Sequence, residues 1–276
     1  MAYTLVHVSD LHFHRLPLHP RDWDAKRCLG ALNLVLNRRR HFPPARAEAL
    51  VRLLDGMDWE HLVITGDLTQ LGLEAEFALA RQVLAPLLAR GPARVTVLPG
   101  NHDRYGAAPG RRDLFAAYFG EFFGEGEIAT RRLTPRWALA AWDSSRPTRP
   151  FDASGTVRPA TLAATEAWLA GLPAGTRAIV ANHYPVHLPP PHRPRPGHDL
   201  ENAGAVADWL RAHPVHLYLH GHRHHNWVLR VPGGLRPLIV VNSAASTQRP
   251  RPGERSAFHR IVLDDDGAEV QPLALP

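Results

Sequence analysis

Short apolar runs rich in β-branched and aromatic residues recur along the chain, and most stop at a cluster of polar residues. This spacing predicts strands at Tyr3–Val8, His61–Thr65, Arg94–Leu98, Ala138–Trp142, Arg177–Ala181 and Val215–Leu219. Trp227–Val231, Leu238–Val241 and Phe258–Leu263 follow toward the C-terminus. Between the earlier runs, apolar residues fall at helical spacing over about Ala25–Arg40, Ala45–Asp55, Leu73–Ala89, Arg111–Phe123, Pro159–Ala170 and Glu201–Ala212. Strand–helix alternation over the first two thirds points to an α/β architecture with a largely buried sheet. The strand-rich final third suggests a second sheet packed on the first. No internal repeat or domain linker stands out, so residues 1–276 are expected to form a single domain.

Two stretches break this rhythm. Residues 13–46 form a basic, partly apolar insert after the first strand. Pro185–Glu201 carries prolines at Pro189, Pro190, Pro191, Pro194 and Pro196. It can be neither a central strand nor a helix interior, and is expected as a semi-rigid loop near His183.

Composition adds little to the fold but bears on partners. The formal net charge is +6, carried almost wholly by arginine, with Lys26 as the one lysine. Such a surface favours anionic partners. Cys28 is the single cysteine, which excludes an intramolecular disulfide and agrees with a reducing compartment. Neither a signal-peptide pattern nor a bilayer-length apolar run is visible, so a cytoplasmic or membrane-peripheral protein is expected.

The predicted strands end on metal-competent residues. The first ends Val8-Ser9-Asp10-Leu11-His12, where strand alternation would put Asp10 and His12 on one face. The second ends Gly66-Asp67 and the third Gly100-Asn101-His102-Asp103. Singly these are weak signals, since Gly, Asn and Asp also make turns and Asp also caps helices. Asn182-His183 and His220-Gly221-His222-Arg223-His224 follow later strands. With 18 histidines in the chain, one alone means little, and His14, His19, His41, His213 and His259 are expected on the surface. The coincidence at strand ends is the informative feature, because ligand sites of α/β sheets gather there. Carboxylate, imidazole and amide together suit Mn²⁺, Fe or Zn²⁺.

Taken as a set, Asp10-x-His12, Gly66-Asp67, Gly100-Asn101-His102-Asp103, His183 and Gly221-His222-x-His224 resemble the signature of the calcineurin-like metallophosphoesterases. All five blocks are present, in order, between Tyr3 and His224. The resemblance implies a four-layer α/β/β/α sandwich with a dinuclear metal site at the C-terminal ends of strands. It assigns Asp10, His12 and His224 to one divalent ion, Asn101, His183 and His222 to the other, and Asp67 to both. It makes His102 the catalytic acid, oriented by Asp103, and implies in-line attack on phosphorus by a hydroxide shared between the metals. Arg104, adjacent, is a candidate phosphate contact.

Gly66-Asp67-Leu68-Thr69 is more similar to the bacterial phosphodiesterase branch, which includes cyclic-nucleotide phosphodiesterases and UDP-2,3-diacylglucosamine pyrophosphatases, than to protein phosphatases. The expected substrate is therefore a nucleotide or a nucleotide-linked lipid. A metal-dependent nuclease and a non-catalytic scaffold of the same fold are the alternatives. Within the insert, Leu29, Leu32, Val35 and Leu36 line one helical face, and Arg38, Arg39 and Arg40 end it. That pattern fits either a capping helix or a contact with an anionic membrane or acyl chain.

Overall fold

The computed structural model describes residues 2–17, 27–28, 30–31, 39–105, 112–243, 246–250 and 257–275. Its first sheet has the order β11-β10-β1-β2-β3. The strands are β1 (Tyr3–Val8), β2 (His61–Ile64), β3 (Val95–Val97), β10 (Ala257–Leu263) and β11 (Ala268–Ala274). β1, β2 and β3 are parallel, while β10 runs antiparallel to β1 and β11 to β10. The second sheet has the order β4-β5-β6-β7-β9-β8. It comprises β4 (Ile128–Arg132), β5 (Trp137–Trp142), β6 (Arg177–Ala181), β7 (Val215–His220), β8 (Trp227–Val231) and β9 (Leu238–Asn242).

Alternation along the second sheet explains the layering. On β6, Ile179 and Ala181 join the apolar cluster shared with the first sheet, whereas Val180 joins a separate one. On β7, Leu217 and Leu219 face the first cluster and Tyr218 the second. Successive strand residues point to opposite faces, so both faces of this sheet are apolar and covered. Helices α1 (Pro44–Asp55), α2 (Glu74–Val83), α3 (Ala85–Leu88) and α4 (Leu114–Phe123) pack on the first sheet through Leu50, Leu54, Phe77, Leu87 and Phe119. Helices α5 (Pro159–Ala170) and α6 (Ala203–Ala212) cover the outer face of the second, α6 through Val206 and Leu210. The result is the expected α/β/β/α sandwich.

Where the structure departs from the sequence pattern, the reason is local. β4 and β11 lie at sheet edges with most of their residues half-buried or exposed, and polar residues interrupt both, so neither carries the apolar run that marks a central strand. The expected helix over Leu73–Ala89 is two helices meeting at Leu84, because Pro86 has no N–H to continue the first. Of the expected amphipathic helix over 25–40, residues 27, 28, 30, 31, 39 and 40 are helical, and the rest, with Lys26 and Arg38, lies outside the described residues. Arg27 is buried and donates to the carbonyls of Leu71 and Gly72, so this part of the insert is docked on the fold. Among the described residues no helix is long and apolar enough to cross a membrane.

His259 is not a surface residue. It lies buried on β10 opposite His7 of β1, and the Ser243 hydroxyl joins the two rings at 3.0 and 2.9 Å. His14 and His213 are partly buried and His41 is exposed, while His19 lies outside the described residues.

Burial pushes the His61 imidazole down to about 3 and that of His259 to about 4. Both start from an ordinary value of 6.5, so in the folded chain they stay neutral where the unfolded chain takes up protons. Stability is therefore expected to be fully present above about pH 6.5 and to fall as pH drops toward about 4. Thermal melts of metal-free protein across pH 8 to 4 check this, and a Tm independent of pH over that range would contradict it.

Candidate metal centre

Asp10, His12, Asp67, His222 and His224 all have left-handed backbone, with φ of 55°, 50°, 52°, 73° and 52°. They make up five of the six non-glycine residues with positive φ among the described residues. Such a conformation costs on the order of 1 kcal/mol or more per residue and persists only where the surroundings enforce it. Here parallel pairing continues past the strand ends: Asp10 N–H donates to Gly66 O at 3.0 Å, His12 N–H to Asp67 O at 3.0 Å, and Phe13 N–H to Leu68 O at 2.7 Å. β1 itself stops at Val8 and β7 at His220. Asp10 and His12, and likewise His222 and His224, thus converge through left-handed turns and not through the strand alternation expected from sequence.

The side chains meet in two groups that share one carboxylate. Ligand atoms of Asp10, His12, Asp67 and His224 lie within 4.8 Å of one another, as do those of Asp67, His183 and His222. Asn101 Oδ1 completes the second group, 3.2 Å from His183 Nε2 and 3.0 Å from His222 Nδ1. Close approach depends on two glycines. A Cβ on Gly221 would sit 1.8 Å from Ser9 Oγ and 2.3 Å from Asp10 Oδ2, and one on Gly100 would sit 2.2 Å from Asp67 Oδ1.

Backbone carbonyls set the imidazoles. His12 Nδ1 faces Thr69 O at 3.3 Å, His183 Nδ1 faces Thr65 O at 2.7 Å, and His222 Nε2 faces the His198 carbonyl. Each of those nitrogens donates, leaving the other lone pair for a ligand. Burial holds the His183 imidazole below its usual range and that of His222 well below it, so both stay neutral, as metal ligands must. His183 Nε2 and His222 Nδ1 then face each other at 3.2 Å across the Asn101 oxygen, lone pair toward lone pair. Acceptors packed this way repel unless a cation lies among them, so the donor set fits divalent metal.

A sequence profile of the calcineurin-like phosphoesterases matches residues 3–226. The chain belongs to that family. It is a metal-dependent phosphoester hydrolase, and the family implies two divalent ions. None of the curated proteins compared with the phosphoesterase matches it in sequence. Among solved structures it is similar to a dimetal phosphatase from Danio rerio, with 14% identity, a TM-score of 0.68 and 99% of each chain covered. A purple acid phosphatase from yellow lupin (Lupinus luteus) seeds is 12% identical with a TM-score of 0.61. A putative 5′-nucleotidase from Staphylococcus aureus is 14% identical with a TM-score of 0.54. The phosphoesterase is covered almost entirely in both, but spans only 52% and 54% of those longer chains. At such identities the likeness is one of fold.

Two roles expected from sequence need correction. The Asp103 carboxylate does not orient His102; it accepts from Gly100 N, Leu68 N, Thr69 N and Thr69 Oγ1 at 2.9, 3.2, 2.9 and 2.9 Å. It ties the Asp67 turn to the Asn101 turn, and His102 Nδ1 faces the Gln70 carbonyl at 2.7 Å. Arg104 is not poised for phosphate. Its guanidinium pairs with Asp113 at 2.7 Å and Asp143 at 2.5 Å, leaving its charge matched by two carboxylates.

Other contributors had no signature in the sequence. Phe42, just past the basic run of the insert, packs its buried ring edge-on to His12 at 4.6 Å and to His224 at 5.6 Å. Tyr105 stacks on His102 at 4.8 Å and 12°. His198, with Nδ1 3.0 Å from His222 Nε2, comes from the proline-rich loop expected beside His183. The cleft over the ligands has a volume of about 380 Å³, lined on one side by His192, Arg195, His198, Arg223 and His225.

Asp67→Ala is expected to abolish both metal positions, and Gly221→Ala to displace Asp10 and weaken one. Metal analysis of purified variants with unchanged circular dichroism tests this; wild-type metal content in Asp67→Ala would exclude a shared carboxylate.

Proposed function

We propose that the protein is a dinuclear phosphodiesterase or pyrophosphatase acting on a nucleotide or nucleotide-linked substrate in the cytoplasm. The observation that carries this reading is the position of Asp67, whose carboxylate belongs to both donor groups. Asp10, His12 and His224 would hold one ion, and Asn101, His183 and His222 the other. Mn²⁺ or Fe suits these mixed oxygen and imidazole donors, with Zn²⁺ as the further candidate. Two divalent ions so placed would neutralise phosphoryl oxygens and lower the pKa of water enough for attack near neutral pH.

The chain's own groups supply the remainder. The backbone N–H of His102 donates to Asp67 Oδ1 at 2.8 Å and holds the shared carboxylate in orientation. With Nδ1 against the Gln70 carbonyl, His102 presents Nε2 to the cleft, where in its protonated form it can give a proton to the departing alkoxide. Tyr105 on one face of the ring and His12 edge-on at 4.9 Å limit its rotation. Arg195 and the cleft histidines offer positive and hydrogen-bonding groups beyond the reacting phosphate, which favours a substrate with a second anionic or polar arm, while Arg223 is held by Asp199 at 2.8 Å. The docking of Arg27 does not add to the lipid variant of this reading, so a soluble nucleotide stands first.

His102→Ala is expected to lower kcat about 10²- to 10⁴-fold with metal content unchanged. Full activity in that variant would remove the acid role. Mn²⁺-loaded protein should hydrolyse bis-p-nitrophenyl phosphate faster than p-nitrophenyl phosphate, then cyclic nucleotides or UDP-diacylglucosamine over single-stranded DNA. Preference for the monoester would overturn the diesterase assignment, and preference for DNA would favour a nuclease.

A further inference from the structure

A second cavity, of about 440 Å³, opens at the opposite pole of the sandwich, where the parallel strands of the second sheet begin. Six residues separate Arg177, at the start of β6, from the ligand His183, so the two sites lie roughly 20 Å apart along the strand direction. The hairpin joining β10 to β11 closes one side. Trp137 Nε1 donates to Asp264 O at 2.8 Å, and Arg177 donates to the carbonyls of Asp265 and Asp266 at 2.6 and 3.3 Å.

His216 is set into this cavity by an irregularity in β7. Ala178 pairs with Val215 and Ile179 with Leu217, so His216 is an extra residue in the ladder. A bulge of this kind re-aims a side chain, and such bulges recur beside functional sites. Both ring nitrogens of His216 are buried without a hydrogen-bond partner; the Pro214 carbonyl acts on the ring without completing a bond. Buried polar atoms in this state are rare in folded proteins and call for a partner. Arg230 and Arg236 also line the cavity, and neither guanidinium makes an ion pair or hydrogen bond among the described residues. One carboxylate, that of Asp266, lines the same space.

We propose that His216, Arg230 and Arg236 form a second, non-catalytic site for a small oxyanion of the phosphate type. Such an anion accepts from both guanidinium groups and from the ring, and it matches the excess of positive charge over Asp266. In the free protein, burial first and then the charges of Arg236 and Arg177 push the His216 imidazole down to about 4. A bound anion would relieve the repulsion and raise that value, which makes His216 its own reporter.

The test follows the imidazole resonances of His216 in the metal-loaded, ¹⁵N-labelled full chain, assigned by their loss in His216→Gln. Inorganic phosphate is expected to shift them saturably in the millimolar range and to raise the titration midpoint. Arg230→Ala combined with Arg236→Ala should weaken this binding about tenfold or more while leaving hydrolysis of bis-p-nitrophenyl phosphate unchanged. Absence of a saturable shift would mean that water alone satisfies the ring and would overturn the proposal. An equal affinity in the double variant would overturn it as well, since the arginines would then not form the site. Because the readout is His216 itself, neither result depends on which ester the metal centre hydrolyses.

Discussion

A single carboxylate common to two groups of acceptors is the constraint around which the rest of the site is arranged. Asp67 reaches both groups from a left-handed residue, φ 52°, that follows a left-handed glycine, φ 92°. Straight strand geometry would put Asp10 and His12 on one face but keep them roughly 7 Å apart along the strand, so it would not by itself draw both to one point with Asp67. The turns that replace it are strained, at on the order of 1 kcal/mol or more each. They are held by bonds that extend the β1–β2 pairing and by the His222 N–H, which donates to both Asp10 carboxylate oxygens at 3.1 and 3.0 Å. The sandwich serves as the rigid body against which this strain is kept.

The groups around the ligands act mainly by fixing orientation. Thr65, Thr69, Gln70 and His198 contribute backbone carbonyls, a role open to any residue type, and those carbonyls decide which imidazole nitrogen is left to bind. Asp103 acts at one further remove. By accepting from Gly100, Leu68 and Thr69 it locks two ligand-bearing turns together. The Leu68-Thr69 pair that set this chain apart from protein phosphatases is therefore wired into the support of the site and does not itself touch the cleft. The substrate preference drawn from it rests on resemblance, whereas the cleft argues through its basic and imidazole-rich wall.

The two poles of the molecule use the same strands differently. At their C-terminal ends, neutral imidazoles and carboxylates converge as acceptors and create a place for cations. At their N-terminal ends, arginines and an unpaired imidazole converge as donors and create a place for an anion.

Much of this was written in the chain. Nine of the eleven described strands announced themselves as apolar runs, most of them ending in polar clusters, because a central strand must bury its side chains whatever its neighbours do. The side chains that converge in the two donor groups could be picked out because metal chemistry restricts the residue types suited to such a place. What the sequence could not determine depended on partners distant along the chain. Edge strands β4 and β11 take their pairing from neighbours and need no apolar run of their own. His259 reads as a spare histidine until β10 is laid against β1 and buries it opposite His7. Arg104 and Asp103 have side chains suited to the roles expected of them, yet the first is claimed by Asp113 and Asp143 and the second by main-chain donors. Residue identity determined which atoms can bind a metal. Only the tertiary structure decided which of them are free to do so, because a charge or a lone pair is defined by what it already faces.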